Sequence, residues 1–81
     1  MDKRIGVVGI VIENIENASK VNDILHSFAD IIVGRMGIPY KERNMSVISL
    51  IIDGTSDQIS AMTGKLGKIQ GINVKSAITK K

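Results

Sequence analysis

The sequence predicts an α+β fold in which a single domain, residues 1–81, has the element order βαββαβ. Two segments have the pattern of strands covered on both faces, two suit the edge of a sheet, and two are amphipathic helices. Each half of the chain repeats the order strand, helix, strand. The chain is too short for a second domain, because typical domains hold roughly 100 to 150 residues.

The first and third strands are expected in the interior of the sheet. The first covers residues 4–13, and the third is MSVISLIID, residues 45–53. Both have apolar or small residues at odd and at even positions. That pattern is typical of a strand with both faces covered.

The second and fourth strands are expected at the sheet edges. The second covers residues 30–40 and contains Pro39, whose missing backbone donor confines it largely to edge strands. The fourth, residues 72–79, alternates apolar with polar side chains. Alternation of that kind predicts a strand with one covered face.

Two amphipathic helices are predicted between these strands. The first is ASKVNDILHSFA, residues 18–29, with apolar residues spaced i, i+3, i+4 and i+7 at Val21, Ile24, Leu25 and Phe28. The second follows Thr55 and Gln58, which have the spacing of a capping box, and ends at Gly67 or Gly71. Its apolar positions are Ile59, Met62, Leu66 and Ile69.

Together these elements predict the ferredoxin-like plan, an antiparallel sheet in the order 4-1-3-2 with both helices on one face. We expect the bulkier side chains of the inner strands to face the helices: Val8, Ile10, Ile12, Ile48, Leu50 and Ile52. The other set would face water in a single chain: Val7, Gly9, Val11, Val47, Ser49 and Ile51.

An uncovered apolar face predicts self-association. At about 25 cal/mol per Å² of buried apolar surface, covering a few aliphatic side chains contributes several kcal/mol per subunit before association costs. We therefore expect a homodimer or higher homo-oligomer that uses this face, the sheet edges or both. The sequence leaves dimer and tetramer open.

Composition narrows the class of protein. The chain has no cysteine, which excludes disulfides and thiolate metal sites and favours a cytoplasmic location. The apolar run at residues 5–12 is far shorter than the roughly 20 residues of a membrane helix, so we expect no membrane contact.

The net charge of +3 raises nucleic acid as an alternative partner. However, the eleven basic residues are scattered among eight acidic ones, and the chain has one Phe and one Tyr. Long basic blocks and aromatic stacking platforms are therefore missing. We expect that nucleic acid is not bound directly.

No set of residues predicts catalysis or metal binding. His26 is the sole histidine, and Asp30 follows it four residues later, but no nucleophile or further ligand accompanies them. We interpret them as a solvated pair on a helix flank. The expectation is a protein without catalytic residues, metal or cofactor.

The candidate binding segment is GRMGIPY, residues 34–40, which contains the only proline and the only tyrosine. Glycine and proline can bend or bulge an edge strand, and polar side chains would then project near a subunit boundary. The predicted ligand-binding residues are Arg35, Gly37, Pro39 and Tyr40. In the alternative interpretation, glycine, proline and charge here only prevent uncontrolled edge pairing.

The segments ILHSFADIIVGRMGIPYKERNMSVISLIIDG and ISAMTGKLGKIQGINVKSA resemble a family of small regulators of the iron-only hydrogenase system. The most specific parts are GRMGIPY and GKLGKI, and the resemblance covers nearly the whole chain. It implies a ferredoxin-like fold close to ACT domains and to the metal-sensing domain of nickel-responsive repressors. It also implies a bacterial cytoplasmic regulator linked to hydrogenase genes, without a ligand or catalytic residue to transfer.

The sequence differs from both ACT domains and nickel-responsive repressors in features that bear on ligand binding. The turn ENIENAS replaces the glycine turn that ACT domains have after the first strand, and one His without Cys cannot reproduce the nickel site. The resulting hypothesis is a non-enzymatic, oligomeric regulatory module that senses a small effector and acts with a regulatory partner protein. The alternatives are a structural module that acts through oligomerisation and a weak nucleic-acid binder.

Overall fold

The computed structural model describes residues 2–80, in which a single four-stranded sheet is covered on one face by two helices. The elements are β1 (Lys3–Ile12), α1 (Ala18–Ser27), β2 (Ile32–Tyr40), β3 (Met45–Thr55), α2 (Ser56–Gly67) and β4 (Ile72–Ile78). The sheet order is β2-β3-β1-β4 with every neighbouring pair antiparallel. The predicted ferredoxin-like topology, with its inner and edge strands, is confirmed.

Two boundaries around the first helix differ from the prediction. Helix α1 ends at Ser27, because Phe28 leaves the helical conformation with φ −113° and ψ 22°. A 3₁₀ turn, Ala29–Ile31, then places Ile31 in the core before β2 begins. Residues 30 and 31, which were predicted to start the strand, therefore belong to this turn.

The second helix begins as its sequence predicts. The Thr55 hydroxyl accepts a hydrogen bond from the Gln58 backbone N–H at 3.2 Å, and the Gln58 side-chain oxygen accepts one from the Thr55 N–H at 2.9 Å. This reciprocal capping box satisfies two backbone donors that a helix start leaves open. Of the two glycines predicted to end the helix, Gly67 is its last residue and Gly71 lies in the following turn with φ +79°.

The core lies between the helices and the inner strands. Its sheet side contains the set predicted to face the helices, and each member is buried: Val8, Ile10, Ile12, Ile48, Leu50 and Ile52. The helices contribute Val21, Leu25, Ile59, Met62 and Leu66 to the same cluster. The hydrophobic effect of this one layer thus holds both helices on the same face of the sheet.

Strand β2 contains a β-bulge near its start. Ile32 pairs with Ile52 and Gly34 pairs with Ile51, so that Val33 has no opposite residue on β3. The Val33 side chain is 68% exposed. Beyond the bulge, pairing is regular to Tyr40, which lies opposite Met45.

Neither helix in residues 2–80 has the length and hydropathy needed to cross a lipid bilayer.

Candidate functional site

The face of the sheet that the helices leave uncovered is largely apolar, and we call it the open face. Among the described residues, seven of its large apolar side chains are between 45% and 64% exposed. They come from the three strands β1, β2 and β3: Ile5, Val7, Met36, Ile38, Tyr40, Val47 and Ile51. Apolar side chains gathered in this way on one surface mark an interaction site more often than scattered ones do.

The strand register makes the open face continuous. Ile38 lies opposite Val47, which in turn lies opposite Val11, so one apolar row crosses three strands. In the next row the small residues Ser49 and Gly9 are adjacent, with Met36 at one end and Lys75 at the other. The open face therefore has an apolar area that is depressed at its centre, where Ser49 and Gly9 are small. Its margin on β4 carries the charge of Lys75.

The predicted binding residues do not all lie on the same side of β2. Side chains opposite each other in a register share a face, and Arg35 lies opposite buried Leu50, whereas Tyr40 lies opposite Met45. A Cβ at Gly37 would lie 3.7 Å from Ile48 Cγ1, which also places Gly37 on the helix side.

Pro39 lies opposite Ser46 in that register and shares the helix side with Arg35 and Gly37. The structure thus brings three of the predicted residues to one side of the strand, and Tyr40 belongs to the open face.

Arg35 borders a groove between α1 and β2, which we call the α1–β2 groove. Its guanidinium Nη2 donates a hydrogen bond to Asn22 Oδ1 at 2.7 Å and so links the edge strand to the helix. The groove has a volume of about 500 Å³, and the residues lining it are Asn22, Leu25, His26, Ala29, Ile32, Val33, Gly34 and Arg35.

Sequence reasoning missed the residues of α1 that complete this groove. Asn22 and His26 are four residues apart and therefore on the same flank of the helix, turned towards β2. That spacing was a usable signal, but only the packing of α1 beside the edge strand shows that the flank faces Arg35. His26 and Asp30 are both exposed, and within the described residues they share no hydrogen bond.

A second cavity, of about 650 Å³, lies where the turn after β1 meets the end of α2. Several of its polar groups hold these turns together. The Asn17 side chain donates to the Gln70 carbonyl oxygen at 3.0 Å, and the Glu13 backbone N–H donates to the Gly71 carbonyl oxygen at 2.9 Å. We attribute this cleft to the packing of the turns.

Across residues 2–80, no three His, Cys, Asp or Glu side chains come close enough together to hold a metal ion.

Comparison with known proteins places the chain in a family. The TM1266-like family model, described as "Iron-only hydrogenase system regulator, putative", matches residues 4–76. The solved structure of the protein TM1266 from Thermotoga maritima is 41% identical, with a TM-score of 0.90, and the match covers 98% of this chain and 100% of that one. The comparison with curated proteins found no significant match.

More distant structures share the fold. A "putative PII-like signaling protein" from Thermus thermophilus is 13% identical with a TM-score of 0.61, covering 98% of this chain and 92% of that one. The PII-like nitrogen regulatory protein CPII from Thiomonas intermedia, solved with ADP, AMP and bicarbonate, is 10% identical with a TM-score of 0.54 and coverages of 99% and 96%. With 90% of its length spanned by the family model and a close structural relative in Thermotoga, the chain belongs to the TM1266-like family of iron-only hydrogenase system regulators.

Proposed function

We propose that this protein is a non-enzymatic regulatory module that assembles with copies of itself through the open face and senses a small effector beside β2. The open face is the observation on which the proposal rests. Any control of transcription would then act through a partner protein, and the assembled form would be the one that the partner recognises.

Self-association is supported by the position of the apolar side chains. Val7, Val47 and Ile51 lie on the two inner strands, on the face opposite both helices of residues 2–80. A second copy offers the same apolar surface and can cover them with twofold symmetry. Burial of this surface favours association by the hydrophobic effect.

Effector sensing is supported by the β2 edge and by the family. Arg35 borders the α1–β2 groove, Gly37 and Pro39 follow it on the helix side of β2, and Tyr40 lies on the open face. The family description assigns a regulatory role, and the similarly folded CPII has been solved with small ligands. An effector bound at this edge would lie next to the proposed assembly surface.

The decisive experiment places a charge in the middle of the open face. Val47→Lys should convert an oligomer at micromolar concentration into a monomer, because a lysine buried against a second copy would lose its hydration. The lysine would remain solvated in a single chain, so the circular dichroism spectrum should be unchanged. Sedimentation velocity of both proteins measures the difference.

Ser60→Lys provides the matched control, since Ser60 is exposed on α2, on the opposite side of the sheet. It should sediment as the wild type does. A wild-type protein that is monomeric at micromolar concentration would rule out the proposed assembly.

A purely structural role for the assembly is the second candidate, and the same open face supports it. The two differ in their response to small molecules, because a ligand that binds only the folded state raises the melting temperature. Thermal-shift screening with amino acids, nucleotides and metals therefore separates a sensor, which shows a specific upward shift, from a scaffold, which shows none.

A further inference from the structure

The geometry points to the chemical class and the site of the effector: a small aliphatic carboxylate bound in the α1–β2 groove by Arg35. The same geometry connects this ligand to assembly, because Gly34 and Arg35 border both the groove and a hollow in the open face. The inference rests on the proposed function, which it extends by naming the ligand class and the residues that transmit its binding.

Arg35 supplies the positive charge for an anionic ligand. A guanidinium has N–H donors in a fixed fork, and Asn22 Oδ1 accepts from only one of its nitrogens, at 2.7 Å. No Asp or Glu is among the described residues that line the groove. The remaining donors of Arg35 can therefore meet a carboxylate in the bidentate geometry that this pair prefers.

The hydrogen bond that Arg35 donates to Asn22 Oδ1 prepares the guanidinium for this task. It holds a long side chain across the groove before any ligand arrives, so less rotamer freedom is lost on binding. His26 lies one helical turn after Asn22 and adds a polar group on the same wall.

The rest of the lining favours a ligand with a hydrocarbon body. Ala29, Ile32 and Val33 contribute apolar surface beside the Arg35 guanidinium, and Leu25, which also lines the groove, is almost fully buried. Among the described residues of the lining there is no Phe, Tyr or Trp on which a purine could stack. An aliphatic carboxylate matches both the charge and the apolar surface, whereas inorganic phosphate matches the charge alone.

Gly34 and Arg35 provide the physical connection to the open face. On that face they line a hollow of about 190 Å³ together with Met36, Ser49 and Ile51. A ligand in the groove restrains the strand segment that a second copy would contact from the other side. Binding should therefore strengthen assembly, since the second event no longer has to order that segment.

The test uses the full-length chain labelled with ¹⁵N and titrated with sodium butyrate and sodium glutarate. Inorganic phosphate, AMP and sodium chloride at matched ionic strength serve as competing probes. We expect saturable shifts of the Gly34 and Arg35 backbone amides and of the Asn22 side-chain amide with at least one carboxylate. Shifts with phosphate or AMP alone, or none that saturate, would overturn the inference.

Substitutions assign the binding to the guanidinium. Arg35→Met should weaken carboxylate binding about tenfold or more, equivalent to roughly 1.4 kcal/mol, and Arg35→Lys should retain part of it. Arg43→Met removes the same charge from the exposed turn after β2 and should leave binding unchanged. Equal binding by Arg35→Met and wild type would contradict the assignment.

Sedimentation equilibrium with and without the carboxylate tests the connection to assembly. We expect the dissociation constant of the wild-type oligomer to fall several-fold with ligand and that of Arg35→Met to stay constant. An unchanged wild-type constant would refute the coupling. The amide shifts report binding in a monomer as well as in an oligomer, so failure of the ligand site and failure of the proposed assembly give different results.

Discussion

The two faces of the sheet are made by the same strands and are both rich in apolar side chains, but they differ in how much of those side chains is exposed. On the helix side Leu50 is 0% exposed, whereas its neighbour Ile51 on the open face is 49% exposed. The side chains are nearly equal in size and hydrophobicity, so intrinsic preference cannot explain the difference. Burial within a single chain is decided by which face the helices cover, and the open face remains available to another molecule.

The largest contrast should come from truncating these two neighbours. Leu50→Ala should lower the free energy of unfolding by about 2–5 kcal/mol, because it leaves a cavity in a packed core. Ile51→Ala should lower it by about 0.5 kcal/mol or less in a monomer, as exposed substitutions usually do. Urea denaturation at submicromolar concentration measures both variants.

Raising the protein concentration sharpens this test. If a second copy covers Ile51, the loss caused by Ile51→Ala should grow with concentration while that of Leu50→Ala stays the same. A concentration-independent loss at Ile51 would indicate that the open face stays in water.

Glycines on the two faces provide a second, smaller contrast. A Cβ added at Gly6 would collide with Ile78 Cδ1 and lie 3.0 Å from the Ala77 carbonyl oxygen, whereas one added at Gly34 meets nothing within 4 Å. Gly6→Ala should therefore destabilise the protein by about 1–3 kcal/mol. Gly34→Ala should be neutral or stabilise it by up to about 1 kcal/mol. Melting temperatures of the two variants, recorded at low concentration, make the comparison.

The smallest of these contrasts in stability is expected from breaking the capping box at the start of α2. Thr55→Ala removes the hydroxyl of the capping box and should lower stability by about 0.5–2 kcal/mol. Thr55→Ser keeps the hydroxyl and should behave like the wild type in urea denaturation. An equal loss in both variants would show that the Thr55 methyl group, and not the cap, stabilises the start of α2.

Most of the fold could be predicted because the patterns that specify it are local. Apolar residues at both odd and even positions identified β1 and β3 as inner strands, and Pro39 identified β2 as an edge strand. The capping box of Thr55 and Gln58 gave the start of α2. The start of β2 was wrong by two residues, because Ile31 is apolar in both a strand and a 3₁₀ turn and periodicity does not separate them.

The candidate site was less accessible to sequence reasoning. Successive side chains of a strand point to opposite faces of the sheet. Because one residue number is odd and the other even, the sequence could have shown that Arg35 and Tyr40 point to opposite faces. The hydrogen bond between Arg35 and Asn22 could not be anticipated, because it depends on how α1 packs against the edge of the sheet. The apolar contribution of β2 to the open face was also missed, since glycine and proline conceal the strand pattern there.

The unpaired Val33 changes how the even-numbered positions of β2 are used. Ile32, Met36 and Ile38 have the same parity, and an unbroken ladder would turn all three the same way. The added residue reverses the alternation, which sends Ile32 inward and Met36 and Ile38 outward. One inserted residue thus separates a position that packs against the hydrophobic core, Ile32, from two that are exposed on the open face, Met36 and Ile38.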